Sequence, residues 1–154
     1  MANELTVAGE VIVEPEIVQY IVIKIGDEQY GIDIKYIDNI VRMQNITRVP
    51  KIAKYLKGVI NLRGEVVAVM SLRLKMGLKD DEITKDSRII IIKIGHDSIG
   101  IMVDSVKEVV NIDLNTVEKV GFENRDDSTF VQGIGKQENG ALISLLDLNA
   151  VLSE

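Results

Sequence analysis

Apolar residues fall along this chain in short alternating or continuous runs separated by turn residues, a pattern of strands rather than long helices. Gln19 to Ile25 (QYIVIKI) predicts a strand that stops at Gly26-Asp27, and Tyr30 to Ile34 (YGIDI) predicts its partner. The two read as a hairpin with its tip over Gly26 to Gln29. Tyr36 to Met43 places Ile37, Ile40 and Val41 at spacings of three and one, which fits a helical turn nearly as well as a strand. Pro50 predicts one or two helical turns over Lys51 to Lys57, stopped by Gly58. Val59 to Glu65 reads as strand, Arg63-Gly64 turn and a second strand. Val66 to Leu72 is nearly continuous in apolar residues, as expected of a strand buried on both faces. Gly77 and Asp80-Asp81-Glu82 make a surface loop.

After that loop the pattern starts again. Ile21 to Val41 aligns without a gap on Ile90 to Val110, with Ile-x-Ile-Lys-Ile-Gly in both and Gly31 falling on Gly100. Gly58-Val59-Ile60 resembles Gly133-Ile134-Gly135, and Val69 to Leu72 resembles Leu142 to Leu145. The period is too long for a solenoid and suits a small barrel. The expectation is a tandem duplication, all-β, with each half a small antiparallel barrel and a groove between the two. The boundaries predicted are a mobile tail over residues 1–16, carrying a short edge strand at Val11 to Val13, and a unit over 17–152. That unit divides into barrels at about 17–84 and 85–152, whose termini are free to exchange.

Composition mostly removes chemistries. The 154 residues include no Cys, one His and no Trp, so thiol catalysis, zinc–thiolate sites and disulfides are excluded. Ile and Val number 23 and 19, in keeping with pleated, half-buried surfaces. The net charge of −6 and the 4% aromatic content argue against a nucleic-acid surface. The N-terminus lacks the features of a signal peptide, and the longest apolar stretch, Val66 to Met70, is far short of a membrane span. A cytoplasmic protein without direct membrane insertion is expected. His96 sits at a predicted hairpin tip with no partner cluster, so no metal site is assigned. Asp80 to Glu82 and Asp126-Asp127 lack the alternation of a calcium loop and read as solvated loops. Gly133-x-Gly135 lacks a phosphate-binding fingerprint and reads as a bulge or tight strand turn. The three lysines within Lys51 to Lys57 read as a charged helix face.

Three segments then point to a family. Gly26 to Ile34 (GDEQYGIDI), Gly58 to Gly64 (GVINLRG) and Val103 to Val106 (VDSV) resemble, in sequence and spacing, the signatures of CheW-like domains. The resemblance runs from about Gln19 to Leu152. With no room here for a kinase, phosphotransfer or receiver segment, the chain is similar to the stand-alone adaptors of bacterial chemotaxis. The resemblance implies two five-stranded SH3-like barrels with short helical segments, no catalytic residues and no cofactor. It implies an adaptor at receptor arrays on the inner face of the membrane. There it couples the cytoplasmic tips of chemoreceptors to the histidine kinase CheA, whose regulatory domain is itself CheW-like.

The same resemblance places receptor-binding residues along the groove: Ile37, Asn39, Ile40 and Val41, then Asn61, Leu62, Arg63 and Gly64, with Val103, Val106 and Val109 as the opposite wall. An arginine at a groove edge can hold a carboxylate of a charged helix with two hydrogen bonds. Asn39 departs from the acidic residue that some members carry, so no charge pairing is implied there. Core packing competes as a reading of Ile40 and Val41. Ile46, Thr47, Val49 and Ile52 are expected to contact the kinase, against a reading as core and loop residues. The alternative functions are a barrel pair that binds nucleic acid, or another protein partner outside chemotaxis. An enzyme of Asp and Glu pairs finds no supporting constellation.

Overall fold

The computed structural model of the chain describes residues 4–7, 10–119 and 130–153. Its strands are β1 (Glu4–Val7), β2 (Glu10–Val13), β3 (Ile17–Ile25), β4 (Glu28–Asp33), β5 (Ile37–Arg42), β6 (Leu56–Leu62) and β7 (Glu65–Ser71). They continue with β8 (Arg88–Ile94), β9 (Asp97–Val103), β10 (Ser105–Asp113), β11 (Glu118–Lys119), β12 (Val131–Lys136) and β13 (Leu142–Leu146). Short helices α1 (Leu72–Lys75) and α2 (Leu148–Leu152) follow β7 and β13. Val11 to Val13 fall in β2, which pairs with β1 in a sheet of its own.

The repeat is visible in the order of strands. One sheet runs β5-β8-β9-β7-β6 and the other β10-β3-β4-β13-β12-β11. The offset of the sequence repeat carries β3, β4 and β5 onto β8, β9 and β10, and the two sheets then have the same order with the hairpins exchanged. Even the irregularities match: a bulge between Ile37 and Asn39 in β5 recurs between Val106 and Glu108 in β10. A backbone bridge from Thr47 to Val59 closes the first sheet, and β11 pairing with β12 does the same in the second.

Because of the exchange, the sheets do not follow the expected split at 84/85. The five-stranded barrel is the continuous segment 37–103, and the six-stranded one takes residues 17–33 and 105–146. The chain crosses between them twice, at the 3-10 turn Ile34–Tyr36 and at Asp104. Three further expectations change. Lys51 to Tyr55 forms turns, not a helix, and β6 begins at Leu56; Lys51 takes a φ of 60°, outside the helical region. Tyr36 to Met43 resolves as the end of a 3-10 turn followed by strand. The match of Val69–Leu72 on Leu142–Leu145 slips by three: Ser71 and Asp147 are the equivalent N-caps of α1 and α2.

Burial explains the isoleucine runs. Ile21, Ile23, Ile90 and Ile92 point into a central core between the barrels, with Ile32, Met70, Leu72 and Ile101. Their neighbours Ile89 and Ile91 point into the five-stranded barrel, and Tyr20 and Val22 into the other. Strands β3 and β8 are thus buried on both faces, and alternation disappears from their sequence. In β7, Val67, Val69 and Met70 behave likewise, whereas Val66 is 70% exposed at the strand's start.

Candidate functional site

β5 and β10 are each terminal in their sheet order, and side chains of both reach the seam where the central core lies between the barrels. Ile37 and Ile40 of β5 and Val106 of β10 are half-buried and pack on the central core. Ile37 and Val106 are repeat equivalents, and each stands immediately before its strand's bulge. A bulge re-aims the side chains beside it and blunts an edge strand. Val109 is 49% exposed on β10, and Ile34, in the neighbouring crossing, is 37% exposed. Val103 differs from expectation: at 2% exposure it is core beneath the seam, not wall. Val41 and Leu62 face the five-stranded barrel's own core, with only part of each surface open. Asn39 is half-buried, and its Oδ1 accepts from the Ile40 amide at 2.9 Å.

Asn61 to Gly64 close the β6–β7 hairpin. Arg63 and Gly64 both have positive φ, 53° and 82°, as a two-residue type I′ turn requires. The Asn61 side chain accepts from the Gly64 amide at 3.2 Å and fixes the turn. This leaves Arg63 exposed, and among the described residues no hydrogen bond or ion pair engages its guanidinium. Holding a non-glycine residue at such a φ costs about 1 kcal/mol.

The expected kinase contacts lie on another part of the same barrel. Ile46 is half-buried on the barrel core and also lines a cleft of about 610 Å³ with Leu56, Leu74 and Met102. Thr47 is exposed, with its backbone committed to Val59. Val49 and Ile52 are 39% and 38% exposed beside the cleft, and Leu78 and Ile83 add 44% and 63%. Arg48, Lys54 and Lys57 rim the apolar floor, Lys57 pairing with Asp80 at 2.6 Å. The cleft's Leu78–Ile83 wall escapes sequence reading because those residues sit in a loop of mixed polarity.

Two carboxylates read as solvated or merely as motif have defined partners. Asp104 receives Nε and Nη2 of Arg73 at 2.9 and 2.5 Å and the Gly26 amide at 2.7 Å. The Arg73 guanidinium, helped by the Gly26 amide, holds the Asp104 carboxyl below the usual carboxylate range against the opposing effect of burial. Asp81 accepts from the Ser71 hydroxyl, whose oxygen in turn caps α1 through the Leu74 amide at 3.1 Å. Burial pushes the Asp81 carboxyl up, partly offset by that hydroxyl. His96 is an exposed turn residue as expected, and no metal-ligating cluster exists among the described residues. Asp126-Asp127 lie outside the described residues. Gly133 sits at a bulge in β12, in line with the reading as a backbone feature.

Two small barrels joined by an exchanged pair of hairpins make up the described fold. The family model described as "CheW-like domain" matches residues 19–154. The chemotaxis protein CheW of Helicobacter pylori is 37% identical over 139 residues, covering 90% of this chain and 84% of its own. That of Bacillus subtilis is 36% identical over 136 residues, covering 87% and 86%. The crystal structure of the scaffolding protein TtCheW from Thermoanaerobacter tengcongensis superposes with a TM-score of 0.81 at 33% identity, over 92% of this chain and 94% of that one. The chain belongs to the CheW-like domain family, the chemotaxis adaptors built as a pair of SH3-like barrels. The family's members are scaffolds, not enzymes. Nothing among these relatives favours a nucleic-acid-binding alternative.

Proposed function

We propose that this protein is a cytoplasmic adaptor that couples chemoreceptor tips to the regulatory domain of the histidine kinase CheA by holding both on separate faces. The observation that carries the reading is the separation of two unlike surfaces. One is the seam, where Ile37, Ile40, Val106 and Val109 give an apolar track; the exposed β6–β7 turn adds Arg63 as an uncommitted charge on the five-stranded barrel. The other is the cleft around Ile46, Val49 and Ile52, with cations at its rim. A receptor helix would lay an apolar stripe along the seam and present a carboxylate to Arg63. The kinase domain, itself CheW-like by the same reading, would cover the exposed apolar side chains of the cleft. The residues of β5, the Asn61 to Gly64 turn and β10 are therefore assigned to the receptor, and Ile46, Thr47, Val49 and Ile52 to the kinase.

The assembly test is co-sedimentation of the protein with receptor-bearing membranes and the kinase. A complex of all three is expected. Binding of receptor and kinase in mutual exclusion would contradict the reading.

A further inference from the structure

Asp104 is the single residue between β9, the last strand of the five-stranded barrel, and β10, the first strand that returns to the other. Its carboxylate is held from both sides of that crossing. Arg73 reaches it from α1, at the end of β7 and within the 37–103 barrel, and the Gly26 amide reaches it from the β3–β4 turn of the other barrel. The Asp104 amide also donates to the Lys24 carbonyl at 3.1 Å. Gly26 serves this geometry with a φ of 61°, which a side chain would resist. The repeat equivalent of Asp104 is Lys35, in the other crossing, where the contacts are local: Asp33 caps the Lys35 amide at 3.0 Å and lies 3.8 Å from its ammonium. Through the Gly26 amide and the Lys24 carbonyl, the ion-paired Asp104 ties one crossing across the barrels, and among the described residues no ion pair spans the other.

We propose that Arg73 and Asp104 are positioning residues that set the angle between the two barrels, and with it the width of the seam that receives the receptor helix. A bidentate arginine–carboxylate pair constrains direction as well as distance, which a hydrophobic interface alone does not. The consequence for binding rests on the receptor reading above; the consequence for barrel geometry does not.

The absence of native cysteine allows a direct test. Val66→Cys in β7 and Leu142→Cys in β13 are exposed positions on the two barrels and accept spin labels. Pulsed dipolar spectroscopy then reads the inter-barrel distance in the otherwise unchanged chain and with Arg73→Gln, Arg73→Lys or Asp104→Asn added. The expected result is one narrow distance, broadened or displaced by Arg73→Gln and Asp104→Asn and partly restored by Arg73→Lys. A soluble receptor-tip fragment should bind the Arg73→Gln variant about tenfold more weakly, with the dispersed amide spectrum of both barrels retained. An unchanged distance distribution in Arg73→Gln overturns the proposal. So does unfolding of both Arg73→Gln and Asp104→Asn, which would assign the pair to stability alone. If the unmutated chain fails to bind the fragment, the receptor reading falls, and the distance measurement still decides the lock.

Discussion

Arg63 stands at the tip of a hairpin whose turn would be easier to make with Asn or Gly in its place. An exposed cation with no partner among the described residues, held on a backbone at positive φ, is the arrangement expected of a residue kept for binding rather than for folding. Arg63→Glu is expected to reduce affinity for a receptor-tip fragment at least tenfold while the melting temperature moves by no more than about 2 °C, as for most exposed substitutions. A large fall in melting temperature would make the residue structural. Asp104 gives a different signature. Its folded pKa lies below the unfolded value, so its stabilising effect is complete above the ordinary carboxylate range and is lost as pH falls through the folded value. Acid unfolding followed by circular dichroism should show a component that Asp104→Asn removes. Asp81 has the opposite sign: burial raises its folded pKa, so its ionised form weakens the fold above that value and the penalty fades on acidification. Asp81→Asn, which can still accept from Ser71, should raise the melting temperature at neutral pH and have little effect below the carboxylate range. The Asn-Leu-Arg-Gly tip was legible in the sequence because a two-residue turn is local chemistry. Arg73 was not, because its partner is 31 residues away and neither residue carries a local sign of the other.

At the level of elements, β5 and β10 show how much a repeat conveys. Aligning Ile37 with Val106 correctly paired two bulged edge strands, but sequence alone could not decide between helix and strand there. The bulge breaks the period-two pattern, so apolar residues fall at spacings that suit a helical turn equally well. The Pro50 segment failed for a related reason: Pro opens type II turns as readily as helices, and Lys51 at positive φ selects the turn. The outcome affects the kinase test. Ile46 serves the barrel core as well as the cleft, so Ile46→Asp would mix unfolding with lost binding. Ile52→Asp is the cleaner variant: it should abolish pull-down of the kinase's regulatory domain and leave receptor binding and melting temperature intact. Retained pull-down would remove this surface from the assignment. Gly58 is the backbone counterpart, with a φ of 142° and a missing Cβ whose place is taken by the Thr47 carbonyl. Gly58→Ala should destabilise barrel closure by about 3 kcal/mol or more in denaturant titration.

For the whole molecule, the duplication was readable and exchange was left open, but which strands exchange was not readable. Two matching halves in sequence imply two matching structures, but they do not say which half's hairpin completes which barrel. Hydrophobic pattern is silent on this because β3 and β8 are equally apolar on both faces and fit either sheet. The exchange makes each repeat dependent on the other. A fragment of residues 17–84 lacks β8 and β9, the middle of the five-stranded sheet, and should stay unfolded by circular dichroism. Exchange also gives the molecule one continuous core between its barrels, so that an adaptor with almost no reactive chemistry can still hold two surfaces in a fixed relation.

That relation is the central claim, and amide shift mapping of the labelled protein against each partner separately tests it most directly. A receptor-tip fragment should perturb β5, the Arg63 turn and β10 together, drawing on both barrels. The kinase's regulatory domain should perturb Val49, Ile52 and their neighbours, and adding it to the receptor complex should leave the first set in place. Perturbation by the receptor confined to one barrel, or displacement of one partner by the other, would contradict the account.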